Sequence, residues 1–228
     1  PIMQIDSMAR GRFIALEGGD AVGKSTQQDQ LVDYLRQQGR EVLVTREPGG
    51  TPVGEEIRSL LKGNDTIDAE AEALLVFASR RQHQVRIIEP ALAQGTWVIC
   101  DRYTASTYAY QGGGRGMDLD RIRVLDEWMH QGLSTPDLYL VLTLDPDERQ
   151  RRQRQRSAAG NTAQCQFEDR DRRYHERVNA VYQWLAREYP AQYALMDASL
   201  EPDALTHAIQ ETLEQRGLIT ATAGRESA

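Results

Sequence analysis

Cysteine and lysine are scarce in this chain, and long apolar runs are missing altogether. Two cysteines, Cys100 and Cys165, build no disulfide framework and lack the spacing of a metal-binding set. They read as free thiols of a reducing compartment, so the expected location is the cytoplasm. No stretch approaches the ~20 apolar residues that span a bilayer, which excludes a helical membrane anchor as the expected partner surface. No apolar segment followed by a small-residue cleavage site marks a secretory signal. Repeats, low-complexity tracts and linkers rich in proline or serine are absent as well. Positive charge is not in surplus: 27 basic against 34 acidic residues leave a net charge of −7. That balance argues against a protein holding nucleic acid by overall charge. Among the basic residues only Lys24 and Lys62 are lysine; the other 25 are arginine, the side chain suited to planar, bidentate phosphate binding.

What is present is a soluble-type composition, 40% hydrophobic and 27% charged over 228 residues, enough for one α/β domain with a sizeable core. Short apolar runs at 13–16, 42–44, 97–100, 138–144 and 193–196 read as buried strands. Helical periodicity separates them. One helix is expected at 25–38, with Leu31, Tyr34 and Leu35 at helical spacing and Gly39 at its stop. A short one opens at Pro52 and closes at Gly63. Residues 69–93 read as one long helix with Leu74, Ala78, Val85, Ile88 and Leu92 on its inner face, Pro90 being a kink or a boundary. Further helices are expected at 118–130, from Pro146 into an arginine-rich stretch, at 167–187 and at 202–215. Strands alternating with helices imply an α/β fold: a mostly parallel five-stranded sheet, helices on both faces, right-handed crossovers, and ligands beyond the carboxyl ends of the strands. Residues 1–12 read as a leader, 13–216 as a single domain and 217–228 as a disordered tail.

The first strand runs into Gly18-Gly19-Asp20-Ala21-Val22-Gly23-Lys24-Ser25, which fits G-x-x-x-x-G-K-[ST] and opens a helix. The glycines let the backbone curl so that successive N–H groups face phosphate oxygens, and the helix N-terminus adds roughly half a positive charge. Lys24 reaches the β- and γ-phosphates, and the Ser25 hydroxyl can ligate Mg²⁺. The ATP-binding set is therefore Gly18, Gly19, Asp20, Ala21, Val22, Gly23, Lys24, Ser25 and the following Thr26. Asp101, ending the third strand, stands where P-loop enzymes hold Mg²⁺ through a carboxylate; a helix N-cap or a partner for Arg102 is the alternative.

Three further motifs are more specific: Thr45-Arg46-Glu47-Pro48-Gly49-Gly50 after the second strand, Asp101-Arg102-Tyr103 after the third, and Ala109-Tyr110-Gln111-Gly112-Gly113-Gly114-Arg115-Gly116 soon after. Together with the P-loop, over about residues 13–215, the chain resembles bacterial thymidylate kinase. The resemblance implies a P-loop NTPase fold, transfer of phosphate from ATP to dTMP with Mg²⁺, giving ADP and dTDP for dTTP synthesis, and a homodimer. By the same resemblance, Asp20 touches the dTMP 3′-hydroxyl, Arg46 and Arg102 bind the acceptor phosphate, and Arg80 reads the thymine. Thr107 and Gln111 line the base pocket, Glu47 belongs to the dTMP-binding set, and Pro48 and Phe77 supply apolar walls. Lys24, Arg102 and Arg156 form the expected catalytic set.

Arg149, Arg151, Arg152, Arg154 and Arg156 fall within eight residues, followed by a small, polar stretch at 157–164. The resemblance makes about 149–167 a mobile, arginine-rich lid over ATP. The P-loop itself has no arginine, and the resemblance then implies that the catalytic one comes from the lid: Arg156 first by spacing, with Arg152 and Arg154 as the neighbouring alternatives and Arg152 also in the ATP-binding set. A solvated arginine stripe that binds RNA is the alternative, although the aromatic interleaving of single-strand binders is missing. The chain departs from the family pattern at Gln166, where an arginine often precedes Phe-Glu. It departs again at Phe77, which lies three residues before Arg80 whereas the stacking aromatic usually lies four before, where Val76 stands. A different P-loop phosphotransferase, such as a deoxynucleoside kinase, is the competing reading; the arginine of residues 45–50 argues against it.

Overall fold

The structure is a computed structural model and describes residues 10–62, 66–145, 147–149, 151, 152, 155 and 172–220. Its centre is a five-stranded sheet in the order β2-β3-β1-β4-β5, with β1 Phe13–Gly18, β2 Val42–Arg46, β3 Trp97–Asp101, β4 Leu138–Thr143 and β5 Tyr193–Asp197. Every neighbouring pair is parallel. β1 is buried along its whole length, as its uninterrupted apolar run requires of a central strand covered on both faces. The edge strand β2 is half exposed.

Because side chains alternate along a strand, β1 feeds two cores. Phe13 and Ala15 join Val98, Cys100, Tyr139 and Val141 on one face. Ile14 and Leu16 join Trp97, Ile99, Leu140 and Leu142 on the other. Helices α1 (Lys24–Gln37) and α8 (Pro202–Gln215) cover the second face with Leu31, Leu35, Leu205, Ile209 and Leu213. The first face is covered by α3 (Ala69–His83), α4 (Glu89–Ala93), α6 (Leu119–His130) and α7 (Arg172–Glu188). The short α2 (Pro52–Lys62) packs on α3. Gly39 adopts φ 73° where α1 stops, and the Asp68 carboxylate caps α3 by accepting from the Glu70 and Ala71 N–H groups.

The expected long helix at 69–93 is three segments. After α3 the chain widens into a π-helical turn, Gln84–Ile88, and α4 then begins with Pro90 in its first turn. A proline has no N–H to give the preceding turn, so a change of helical register there is physically reasonable. The inner face also differs from expectation. Leu74 and Val85 are exposed, whereas Ala73, Val76, Phe77, Arg80 and His83 are buried. Arg80 and His83 occupy part of this inner face because partners distant in sequence, Glu47, Thr107 and Thr45, satisfy them, so apolar spacing alone misplaces it. A second surprise follows β3. The glycine-rich motif forms α5 (Thr104–Thr107) running into a π-helical segment, Tyr108–Gly114, packed tightly on α7. Glycine is needed at 113 and 114, where a Cβ would lie 2.7 Å from the Arg177 carbonyl and 2.4 Å from the Tyr174 ring.

The register brings the motifs together. Leu16 and Arg46 both pair with Asp101, so the carboxyl ends of β1, β2 and β3 open on one edge.

Candidate active site

A cleft of about 870 Å³ lies over that edge. Its floor is the loop at 18–25 between β1 and α1. Gly18 (φ 127°) approaches β4 so closely that a Cβ would sit 2.3 Å from the Leu142 carbonyl. Gly23 has φ 92°, and Ala21 holds φ 61°, an uncommon conformation for a residue with a side chain. Asp20 to Thr26 line the cleft. The buried Lys24 Nζ donates to the Gly19 carbonyl at 2.9 Å and the Gly18 carbonyl at 3.3 Å. Burial and the nearby Arg102 charge lower its pKa, against the pull of Asp101, Asp20 and Glu17. Such a group gains strongly from an anion.

Arg102 has φ 69°, which turns its side chain back over the loop. Its Nη2 donates to Asp20 Oδ1 at 2.5 Å, and Nη1 donates to the Gly18 carbonyl at 3.1 Å and Ser106 Oγ at 3.2 Å. The guanidinium lies over the Tyr110 ring, 4.9 Å from its centroid. Burial would raise the Asp20 pKa, but the charges of Arg102 and Lys24 outweigh it and hold the carboxyl below its ordinary value. Beneath them Glu17 is fully buried and accepts from Tyr103 N–H, Ser106 Oγ and the Tyr182 hydroxyl; burial raises its pKa. Oδ1 of Asp101, on the same wall, is buried and has no hydrogen-bond partner among the described residues. With the exposed Ser25 at the loop's end, it offers the oxygen donors a hard divalent cation prefers. Mg²⁺ therefore fits the residues present.

The far end of the cleft is organised by Arg80, which is 1% exposed. Its Nε donates to Glu47 Oε2 at 2.6 Å, Nη1 to Thr107 Oγ1 at 3.0 Å and Nη2 to the Tyr103 carbonyl at 3.1 Å. The guanidinium lies 5.1 Å from the ring centroids of both Phe77 and Tyr103. Glu47 also bonds His83 Nδ1 at 3.0 Å, and His83 Nε2 bonds Thr45 Oγ1 at 2.7 Å. Glu47, His83 and Cys100 lie close enough to suggest a metal trio. Both His83 nitrogens and the Glu47 carboxylate are already engaged, however, and burial raises the Cys100 thiol's pKa, so this trio serves packing.

Of the sequence-predicted residues, Asp20 to Thr26, Glu47, Pro48, Arg80, Asp101, Arg102, Thr107, Gln111 and Arg152 line one cleft. Two residues expected to contact dTMP are not among those lining the cleft. Phe77 is not on the cleft wall: its ring lies against Arg80 in the core, and the neighbouring Val76 lines the cleft instead. Arg46 stands at the end of the edge strand, and its Nη2 donates to both Glu55 carboxylate oxygens at 2.9 Å, on the rim. Glu55 also accepts from the Gly50 N–H at 3.0 Å, and that bond, with Arg46 and Arg58, lowers its pKa. Arg152 is held by Glu148 at 2.9 Å and donates to the Ala198 carbonyl at 3.1 Å. Arg156 and most of the 149–167 stretch lie outside the described residues. Sequence reasoning did not single out Glu72, Ser106 or Tyr110, which also line the cleft. Ser106 and Tyr110 lie in or beside the quoted motifs, whereas Glu72 carries no sequence signal beyond its helical spacing from Val76.

Comparison with known proteins agrees with this geometry. The family profile described as Thymidylate kinase matches residues 16–209. A thymidylate kinase of Chromobacterium violaceum is 45% identical over 214 residues, covering 91% of this chain and 97% of its own. One from Pseudomonas putida is 44% identical over 203 residues, covering 88% and 95%. The crystal structure of thymidylate kinase from Ehrlichia chaffeensis superimposes with a TM-score of 0.72 at 30% identity, over 90% of this chain and 99% of that one. The chain, with its P-loop fold, belongs to the thymidylate kinase family.

Proposed function

We propose that this cleft transfers the γ-phosphoryl group of ATP to dTMP, yielding ADP and dTDP. The observation that carries the reading is the bond between Asp20 and Arg102. It ties the donor loop to the arginine expected at the acceptor phosphate, so both substrates meet along one wall. Two nucleotides bring several negative charges together, and a unit pair at 4 Å repels by about 4 kcal/mol at an effective dielectric near 20. Lys24 and Arg102 offset that repulsion from fixed positions and align donor and acceptor.

Residues 18–26 hold the donor phosphates through backbone N–H groups and Lys24, and Arg152 stands at the ATP end beside Ala198. Asp20 orients the sugar of dTMP. Arg102 binds the acceptor phosphate, and Arg46 joins from the rim by leaving Glu55. Arg80, Thr107 and Gln111 take the base, with Pro48 and Val76 as its apolar walls. Ser25 and Asp101 would hold Mg²⁺, which when bound neutralises charge on the β- and γ-oxygens. Arg156, in a lid of about residues 149–167, supplies the arginine that the P-loop lacks. Residues 13–216 act as the catalytic unit.

A homodimer is supported by exposed apolar residues on two packed helices, Leu74 and Val85 near α3 with Val124 and Trp128 on α6. A cytoplasmic location is supported by the free Cys100 thiol. No described helix is long and apolar enough to cross a membrane. A coupled ADP-release assay across dTMP, dUMP, dCMP, AMP and thymidine tests the reading. Turnover should be best with dTMP; activity confined to thymidine would promote the nucleoside-kinase alternative.

A further inference from the structure

The base end of the cleft contains a carboxylate that the reaction does not use. Glu72, on α3, is 3% exposed. Its Oε1 accepts from Gln111 Nε2 at 2.6 Å, and its Oε2 is paired with Arg115 Nη1, whose Nη2 donates to the Ile67 carbonyl at 2.6 Å. An ionised carboxylate only accepts hydrogen bonds. A Gln111 amide turned the other way would set its carbonyl oxygen against that carboxylate, two buried acceptors in contact with no proton between them. Burial makes such a mismatch expensive, so the amide has one orientation. Its NH₂ faces Glu72, and its Oε1 has no hydrogen bond among the described residues and remains for the cleft.

The neighbouring Arg80 is donor-only, with three of its five N–H groups engaged by the protein. The wall thus offers a donor from Arg80 beside an acceptor from Gln111. The 4-oxo, N3–H edge of thymine or uracil complements that pair. Cytosine presents a 4-amino donor and an unprotonated N3 acceptor, and both positions then oppose like with like. We propose that Glu72 is a specificity-determining positioning residue. It acts through Gln111, locking the amide so that the site accepts 4-oxo-pyrimidine monophosphates and rejects dCMP. The inference rests on the proposed dTMP kinase reading.

A buried polar mismatch of this kind rejects an analogue by roughly 10⁴-fold. In Glu72→Gln the new side chain can either donate or accept, so Gln111 is free to turn. The ratio of kcat/KM for dTMP over dCMP should fall at least ~10-fold. The dTMP over dUMP ratio should stay within about threefold, because those two bases share the edge. Glu72→Asp keeps the acceptor and should keep most of the rejection of dCMP. A general structural defect would lower all three substrates together and leave the ratios alone. Wild-type spectra with ¹⁵N-labelled glutamine ask the same question without a variant. The Gln111 Nε2 protons should lie downfield and move little on adding dTMP. An unchanged dTMP/dCMP ratio in Glu72→Gln, or a large Nε2 shift on binding dTMP, overturns the inference while leaving dTMP turnover intact. Absence of wild-type dTMP turnover would instead sink the underlying reading.

Discussion

Replacing Arg80 with methionine keeps much of the side chain's length and removes its charge. Arg80 and Glu47 side chains are 1% and 2% exposed, with Nε and Oε2 2.6 Å apart. Taking away Arg80 leaves a buried carboxylate whose remaining side-chain hydrogen-bond partner among the described residues is His83. Breaking a buried pair this way typically destabilises by about 3–5 kcal/mol. The loss of the guanidinium between the Phe77 and Tyr103 rings acts in the same direction. For a chain of this size each kcal/mol moves Tm by about 2–4 °C, so the fall should be roughly 6–20 °C. Urea unfolding and scanning calorimetry would measure it. The double variant Arg80→Met/Glu47→Gln removes the orphaned charge and should recover about half of the loss, although base recognition stays impaired. A single-variant loss below about 1 kcal/mol, or a double variant less stable than the single one, would refute the claim that this ion pair anchors the base end.

Lys24→Ala should lower turnover at least ~10²–10³-fold while the fold persists, as expected for a preorganised donor at the phosphates; steady-state kinetics with circular dichroism would check it. Arg46→Ala should mainly raise KM for dTMP, roughly tenfold or more, and an unchanged KM would leave Arg46 to Glu55 alone. Arg156→Ala should reduce kcat by at least ~100-fold with little change in dTMP affinity, and equal rates would move the role to a neighbouring arginine. Asp20 has a folded pKa below its unfolded value, so its stabilising contribution is complete above about pH 4 and is lost as pH falls through the lower folded value. The stability gap between wild type and Asp20→Asn, read by urea unfolding, should therefore be larger at pH 7 than at pH 3.

Much of the fold is legible in the sequence because its signals are local. The apolar run at 13–16 announced β1, and the glycine-lysine pattern after it announced the loop that the structure bends through Gly18, Ala21 and Gly23. The last helix, Pro202–Gln215, has its expected bounds. What local pattern could not carry is burial of polar groups. Glu72, Arg80 and His83 sit on the inner face of α3 because partners distant in sequence satisfy them, so hydropathy placed Leu74 there instead. Nor does local pattern carry the helical course of 104–114, where Gly113 and Gly114 serve close packing on α7. At the site, Arg102, Arg80 and Gln111 were found through motif matches. The exchange of Phe77 for Val76 on the cleft wall, and the grip of Glu55 on Arg46, depend on side-chain direction and on contacts that spacing does not encode.

The reaction is defined by where one phosphoryl group goes. Incubating the protein and Mg²⁺ with ATP labelled in the γ-phosphate, together with dTMP, and separating the products follows that group directly. Label should appear in dTDP, in step with ADP, and in no nucleotide product of a matched reaction where thymidine replaces dTMP. Label that appears only as free phosphate, or that converts thymidine to dTMP, would contradict it.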